Sequence, residues 1–367
     1  MRFSCHQKAL LSSINIVQKA VSSKTTLPIL KGIYIEALDN YLKLVATDLE
    51  IGIEHIVEAK THNKGSVVVD ARLFSEIIRK LPDAEVEISL EENNQIYIKC
   101  ENSEFNIVSY NSQDFPELPT IEEDYSYEIS QDLFKNMIRQ TVFATSQDES
   151  RPVLTGALVE IENDTLNMVA LDGYRLALKK GKIQSHIDNK VIIPAKTLSE
   201  INRIISDNEE QLTITLTNNH ALFVIGNTKM ISRLLEGEFI NYKQILPKEY
   251  KSKVKVKTRN LLDSIERASL VAREGKNNLV KFTISDDKMT ITSNSELGKV
   301  HEQIYIDFEG EEVEIAFNSK YLIDVLKIME DEEVYLEFTT NLSPGILKPV
   351  SNDNYIYLIL PVRLSSN

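Results

Sequence analysis

The sequence predicts an α+β protein built from three copies of one domain, each with two helices packed on antiparallel sheets. Two observations carry this. One helix–turn–strand segment recurs at Ala71, Ala195 and Ser319, at intervals of 124 residues. A second set of helical segments runs between these copies, and each helix is followed by short runs that alternate apolar and polar residues. Such alternation marks half-buried antiparallel strands.

The elements follow in chain order. The first helix of each copy is HQKALLSSINIVQKAV from His6, SQDLFKNMIRQTVFAT from Ser130 and KTRNLLDSIERASLVA from Lys257, with Leu10, Leu133 and Leu261 in matching places. The second helix begins at Asp70, Pro194 and Asn318. In its first copy, Leu73, Ile77, Ile78 and Leu81 recur at helical spacing and predict one apolar face. EVEISL, QIYIKC, FNIVSY, QLTITL, ALFVIG, KFTISD and MTITSN predict strands. The corner ATDLEIGIE at Ala46 corresponds to ALDGYRLAL at Ala170, again 124 residues on. Prolines at Pro116, Pro119 and Pro247 interrupt the pattern and divide the chain into domains 1–122, 123–247 and 248–367. Copies of this length can each bury a core, so they are domains rather than solenoid turns. Their even spacing suggests domains set side by side at regular rotation.

Composition narrows the function. Apolar residues make up 42% of 367 residues, enough for several cores. Two cysteines, Cys5 and Cys100, are too few for a disulfide framework or a four-cysteine zinc site, and point to a reduced, cytoplasmic setting. The opening MRFSCHQKALL does not read as a signal peptide, and no apolar run is long enough for a membrane span. A net charge of −14 argues on average against nucleic acid. The distribution says otherwise: the six helical segments together carry +8, so the acidity lies in strands and loops. If all six helices face one way, that face suits a polyanion. The alternative is that lysine and arginine simply favour helices.

No P-loop, HExxH, GxSxG or CxxC motif occurs. The six histidines lack ligand spacing, and His55 and His62 read as a strand running into an exposed loop. Asp48 and Asp172 occupy equivalent corners, where an aspartate more often hydrogen-bonds its own turn than does chemistry. No catalytic residue, metal or cofactor is expected.

RPVLTG at Arg151–Gly156, LDGYRLAL at Leu171–Leu178, LPIL at Leu27–Leu30 and LPVRL at Leu360–Leu364 occur together with the triplicated unit. In that combination the whole chain closely resembles the bacterial sliding-clamp family, the beta subunits of DNA polymerase III. The resemblance implies a DNA-clamp fold and a head-to-tail homodimeric ring around double-stranded DNA. Helices line the hole and strands form the outer layer. The family is non-catalytic. A clamp loader opens the ring, and DNA polymerases and repair proteins dock through short peptides.

Carried over by position, the resemblance implies a peptide pocket between the second and third domains. Leu154, Leu171, Gly173, Tyr174, Arg175 and Leu176 would form one wall, with Arg175 free to bond peptide carbonyls or lie along an aromatic ring. Asn318, Tyr321, Leu342 and Pro344 would join Leu360, Pro361, Val362 and Arg363 in the other. Ile240 and Ile245 would close one side. Linear peptides need such apolar sites for leucine or aromatic anchors, with a few donors for the backbone. Three departures bear on peptide preference and access: Leu171 where the family often has threonine, Ile240 in FINY where it has proline, and Ser365–Asn367 beyond the usual end. The resemblance also marks Lys24, Arg72 and Lys196 as DNA-contacting, and Arg79, Arg139 and Arg203 lie on helices expected to face inward. Pro152 and Val153 replace the aromatics that often precede Leu154, which disfavours stacking on single-stranded template.

Two other readings compete. An enzyme using Asp48 or Asp172 requires a deep pocket and a metal or shifted carboxylate. A scaffold that binds only proteins requires no retention on DNA.

Overall fold

The computed structural model describes residues 1–22, 25–121, 126–185, 188–206, 208–274 and 278–363. Lys24 and the segment 364–367, with Leu364 and the Ser365–Asn367 extension, lie outside the described residues. The chain forms two compact units. The first comprises Met1–Asp132 and Arg203–Leu234, the second Leu133–Asn202 and Leu235–Asn367. Each unit thus holds one whole end repeat and part of the middle one.

Six α-helices occur among the described residues: α1 (Gln7–Val17), α2 (Ala71–Lys80), α3 (Gln131–Thr141), α4 (Ala195–Ile204), α5 (Thr258–Ala272) and α6 (Ser319–Leu326). Each coincides with a segment expected from the repeats. In α2 the Asp70 carboxylate accepts the Leu73 N–H at 2.8 Å, which satisfies one of the orphan donors of the first turn. The predicted apolar face needs one correction. Leu73 is 45% exposed, and Phe74 is buried in its stead with Ala71, Ile77 and Ile78. The larger aromatic side chain sets the phase of the helix, and Leu73 is turned outward beside Arg72.

Antiparallel ladders stitch each repeat to the next. In the first unit, thirteen strands form one sheet, and Ile51–Glu58 of the first repeat pairs with Thr228–Arg233 of the second. In the second unit, a nine-stranded sheet pairs Arg175–Lys182 of the second repeat with Tyr355–Ile359 of the third, beside a separate four-stranded sheet. His55 and His62 correct the loop expectation: both lie in strands, Ile51–Glu58 and Lys60–Asn63. His55 is half-buried opposite Thr228, with 2.9 Å between Nδ1 and the Thr228 hydroxyl, while His62 is exposed.

The core under the second corner gathers Leu154, Leu158, Val169, Leu171, Leu176, Leu178, Phe239, Tyr242, Ile346 and Leu358. Burial of this kind is worth about 1.5–3 kcal/mol per large side chain. It anchors the corner that the sequence singles out.

Candidate peptide-docking site

The strands Thr165–Leu171 and Arg175–Lys182 pair antiparallel, with Leu171 opposite Leu176, so residues 172–174 must turn the chain. Asp172 shapes the turn by accepting the N–H groups of Tyr174 (2.9 Å) and Arg175 (3.0 Å) on Oδ1. Gly173 sits at φ +94°, where an L side chain is strained. Asp48 does the same for its own turn, accepting the N–H groups of Glu50 and Ile51. Both aspartates thus serve as turn formers.

Arg175 departs from the expectation of a free donor. It is only 8% exposed, and its guanidinium is spent inside the protein. Nε donates to Asp172 Oδ2 at 3.0 Å, Nη1 to Asp324 Oδ2 at 2.7 Å and Nη2 to the Phe143 carbonyl at 2.8 Å. Burial alone would lower its pKa, but the Tyr357 hydroxyl and the Asp324 and Asp172 carboxylates together raise it. Its aromatic stacking, too, is with the protein's own rings. The guanidinium lies over the Tyr321 ring at 4.5 Å and over the Phe143 ring at 5.3 Å. Phe143 stacks in turn on Tyr357, whose hydroxyl donates to the Tyr321 carbonyl at 2.9 Å. Burial, together with the Asp172 charge, raises the pKa of Tyr321.

The wall from the third repeat is fixed by backbone bonds. Leu360 N–H donates to the Tyr174 carbonyl, and Val362 N–H to that of Ala316, both at 2.8 Å. Asn318 caps α6 by accepting the Lys320 N–H, so that side-chain oxygen is engaged within the fold. One turn into α6, Tyr321 stacks on Tyr174 with ring centroids 6.3 Å apart. Leu342 and Pro344 lie in the connection between Glu333–Phe338 and Gly345–Pro349, and Gly345 pairs with Ile359. Ile240 is exposed between the buried anchors Phe239 and Tyr242, and Ile245 is exposed just beyond them.

The predicted pocket residues therefore fall into two layers. Leu154, Leu171 and Leu176 are 5%, 3% and 2% exposed and form a floor within the core. Tyr174, Ile240, Ile245, Leu342 and Leu360 are exposed apolar side chains, and Pro361, Val362 and Arg363 continue the strand end beside them. Asp324, Phe143 and Tyr357 escaped the sequence reading. Asp324 lies three residues after Tyr321 on the same helix, a spacing that puts both on one face. Nothing in the sequence signals that Phe143 and Tyr357 meet there.

The basic candidates are exposed but largely engaged. Arg72 pairs with Glu76 at 3.1 Å, Arg79 donates to the Ser75 hydroxyl at 3.3 Å and Arg139 pairs with Glu330 at 3.3 Å. Lys196 and Arg203 are exposed on α4. No cluster of three or more potential metal ligands occurs among the described residues, and no helix among them is long and apolar enough to cross a membrane.

Family models of the DNA polymerase III beta subunit match the chain three times: the N-terminal domain at residues 1–119, the central domain at 128–241 and the C-terminal domain at 243–363. The chain is 40% identical over 376 residues to the beta sliding clamp of Bacillus subtilis (strain 168), covering 99% of this chain and all of the relative. It is 40% identical to that of Staphylococcus aureus (strain Mu50), covering 99% of each. The crystal structure of a DNA polymerase sliding clamp from Bacillus subtilis superposes with a TM-score of 0.96 at 40% identity, covering 99% of each chain.

Proposed function

The chain belongs to the DNA polymerase III beta-subunit family and has its sliding-clamp, processivity function, and from this premise we propose how it works. Two copies join head to tail into a ring around double-stranded DNA. The ring slides, and it tethers polymerases and repair proteins by their peptides at the Tyr174 corner. Catalysis plays no part: the two corner aspartates that an enzyme would use are turn formers. The clamp is opened by a loader and works in the cytoplasm, with domains divided near 122 and 247.

The observation that carries this reading is the match along all three repeats. Surface chemistry supports it. The strand Gly298–Tyr305 is an edge of its sheet, with Tyr305 and the adjoining Leu297 exposed, and in the other unit Phe105 and Val108 are exposed on Ser103–Tyr110. An open edge and bare apolar side chains call for a partner, and a second copy of the chain supplies both. Lys8, Arg72, Lys196, Arg203 and Lys320 place exposed positive charge on four of the six helices. Contact through such charges reads phosphates rather than bases and so permits sliding.

Retention on nicked circular DNA, with loader and ATP, tests the reading by gel filtration before and after linearisation. Retention on the circle and loss from the linear form is expected. Equal retention on both would mean ordinary electrostatic binding and would end the ring account. No retention on either, with the loader active on a control clamp, would favour a scaffold that binds only proteins.

A further inference from the structure

The first two repeats differ in how one face of their sheets is covered. In the second repeat Phe239 and Tyr242 are buried over the strands Gly156–Glu162 and Thr165–Leu171. The Tyr242 hydroxyl donates to Glu160 Oε2 at 2.6 Å, and the Lys243 ammonium stands 3.1 Å from the same oxygen and 2.7 Å from Glu162. The first repeat keeps this frame 124 residues earlier, with Phe115 for Phe239 and Glu36 for Glu160. Glu36 lies opposite Lys43 across Gly32–Leu38 and Tyr41–Thr47, as Glu160 lies opposite Asn167. Tyr242 and Lys243, however, give way to Leu118 and Pro119.

Leu118 does not do what Tyr242 does. It has no hydroxyl, and it packs on Gly52, where a Cβ would come within 2.4 Å of its side chain. A cleft of about 520 Å³ opens between Leu118, Phe115 and the strand residues Tyr34, Glu36, Lys43 and Glu54. None of its lining residues belongs to the 47–52 turn. One side is aromatic, with the Tyr34 and Phe115 rings 5.6 Å apart. The charge is acidic: Glu36, Glu54 and Glu117 face a single lysine, Lys43. Lys43 lies 2.6 Å from Glu36 Oε2, which leaves Oε1 to accept another donor. Glu54 and Glu117 make no salt bridge among the described residues. We propose that this cleft is a second peptide-binding site, independent of the Tyr174 corner, and that its occupant is a segment of a partner protein carrying tyrosine followed by lysine. The phenol ring lies against Tyr34 and Phe115 and donates to Glu36, as Tyr242 donates to Glu160, and the ammonium pairs with Glu54 or Glu117. This is the chemistry with which the chain covers its own second repeat.

The test titrates the full-length protein with acetyl-Asn-Tyr-Lys-Gln-amide, the chain's own residues 241–244, and with its Asn-Phe-Lys-Gln analogue, by ligand-observed NMR. The tyrosine peptide is expected to bind about 10-fold more tightly than the phenylalanine peptide, the value of one hydrogen bond to a charged acceptor. Glu36→Gln should shrink that difference to about 3-fold, because a neutral acceptor makes a bond roughly half as strong, and should leave the phenylalanine peptide unchanged. Leu118→Tyr, which puts a phenol where the second repeat has Tyr242, should abolish binding of both peptides. Equal affinity of the two peptides for the wild type, an undiminished difference in Glu36→Gln, or binding that survives Leu118→Tyr would put the contact elsewhere on the protein and overturn the proposal. So would no binding of the tyrosine peptide at its solubility limit. Tyrosinamide binding as tightly as the tetrapeptide would make the cleft a site for small phenols and overturn the peptide occupant.

Discussion

The corners at Asp48 and Asp172 occupy the same place in successive repeats and use the same turn, yet only the second presents exposed aromatic surface. In both, an aspartate accepts two backbone N–H groups and the next residue has positive φ, Leu49 at +75° and Gly173 at +94°. The side chains then diverge. At the first corner Ile51 is buried in the core, and Thr47 closes the turn by donating to the Ile51 carbonyl and accepting the Leu49 N–H. At the second, Arg175 takes the place of Ile51, Tyr174 that of Glu50 and Leu171 that of Thr47. The backbone supplies a position, and a few side chains decide what it can bind. A buried arginine needs carboxylates and rings around it, and those same rings become the surface.

The largest expected difference lies at that substitution. Arg175→Ala leaves Asp172 and Asp324 without their buried cation and should cost about 3–5 kcal/mol in urea unfolding of the second unit. Ile51→Val, which trims the apolar equivalent, should cost about 0.5–1.5 kcal/mol. A loss below ~1 kcal/mol for Arg175→Ala would make the ion network inert and dissolve the contrast. Next come the aspartates. Asp48→Ala removes its turn bonds, about 1 kcal/mol, whereas Asp172→Ala also strips a charged partner from Arg175, about 2–4 kcal/mol in all. Equal losses would show that the two corners are energetically alike.

Exchanging the positive-φ residues sharpens the comparison further. Gly173→Leu should destabilise by about 1–2 kcal/mol, and Leu49→Gly should stabilise by less than about 1 kcal/mol. Thermal melts of the two variants check the signs.

The smallest effect is pH-dependent and belongs to the first unit. Burial holds the pKa of His55 below its ordinary 6.5, and burial with the nearby Arg233 does the same for His220. The unfolded chain then binds more protons below about pH 6.5 than the folded one, so stability is lost as pH falls from there toward the folded pKa values. Protection factors in the Ile51–Glu58 and Thr228–Arg233 ladder, which divide out the pH dependence of intrinsic amide exchange, should fall between pH 7.5 and 5.5, and His55→Gln should reduce the change. An unchanged slope in the variant would remove His55 from this role.

Much of this was legible in the residues. The spacing of Ala71, Ala195 and Ser319 reveals the triplication because each copy must satisfy the same helix-on-sheet packing. Local chemistry, such as Asp172 followed by Gly173, announces a turn. What escaped depends on contacts between segments far apart in the chain. No local pattern says that Arg175–Lys182 pairs with Tyr355–Ile359, which sets Leu360 beside Tyr174. Arg175 reads as a surface donor until Asp324 and Phe143 are found around it. Leu73 and Phe74 are both apolar, and only packing decides which one faces inward.

The central claim is that partners dock at the Asp172 corner and not at its Asp48 counterpart. Hydrogen exchange of the full-length protein, with and without a synthetic clamp-binding peptide, tests it most directly. Slowed exchange in 171–176 and 360–363 with no change in 47–52 is expected. Protection of 47–52 to the same degree, or none at 171–176 under saturating peptide, would contradict it.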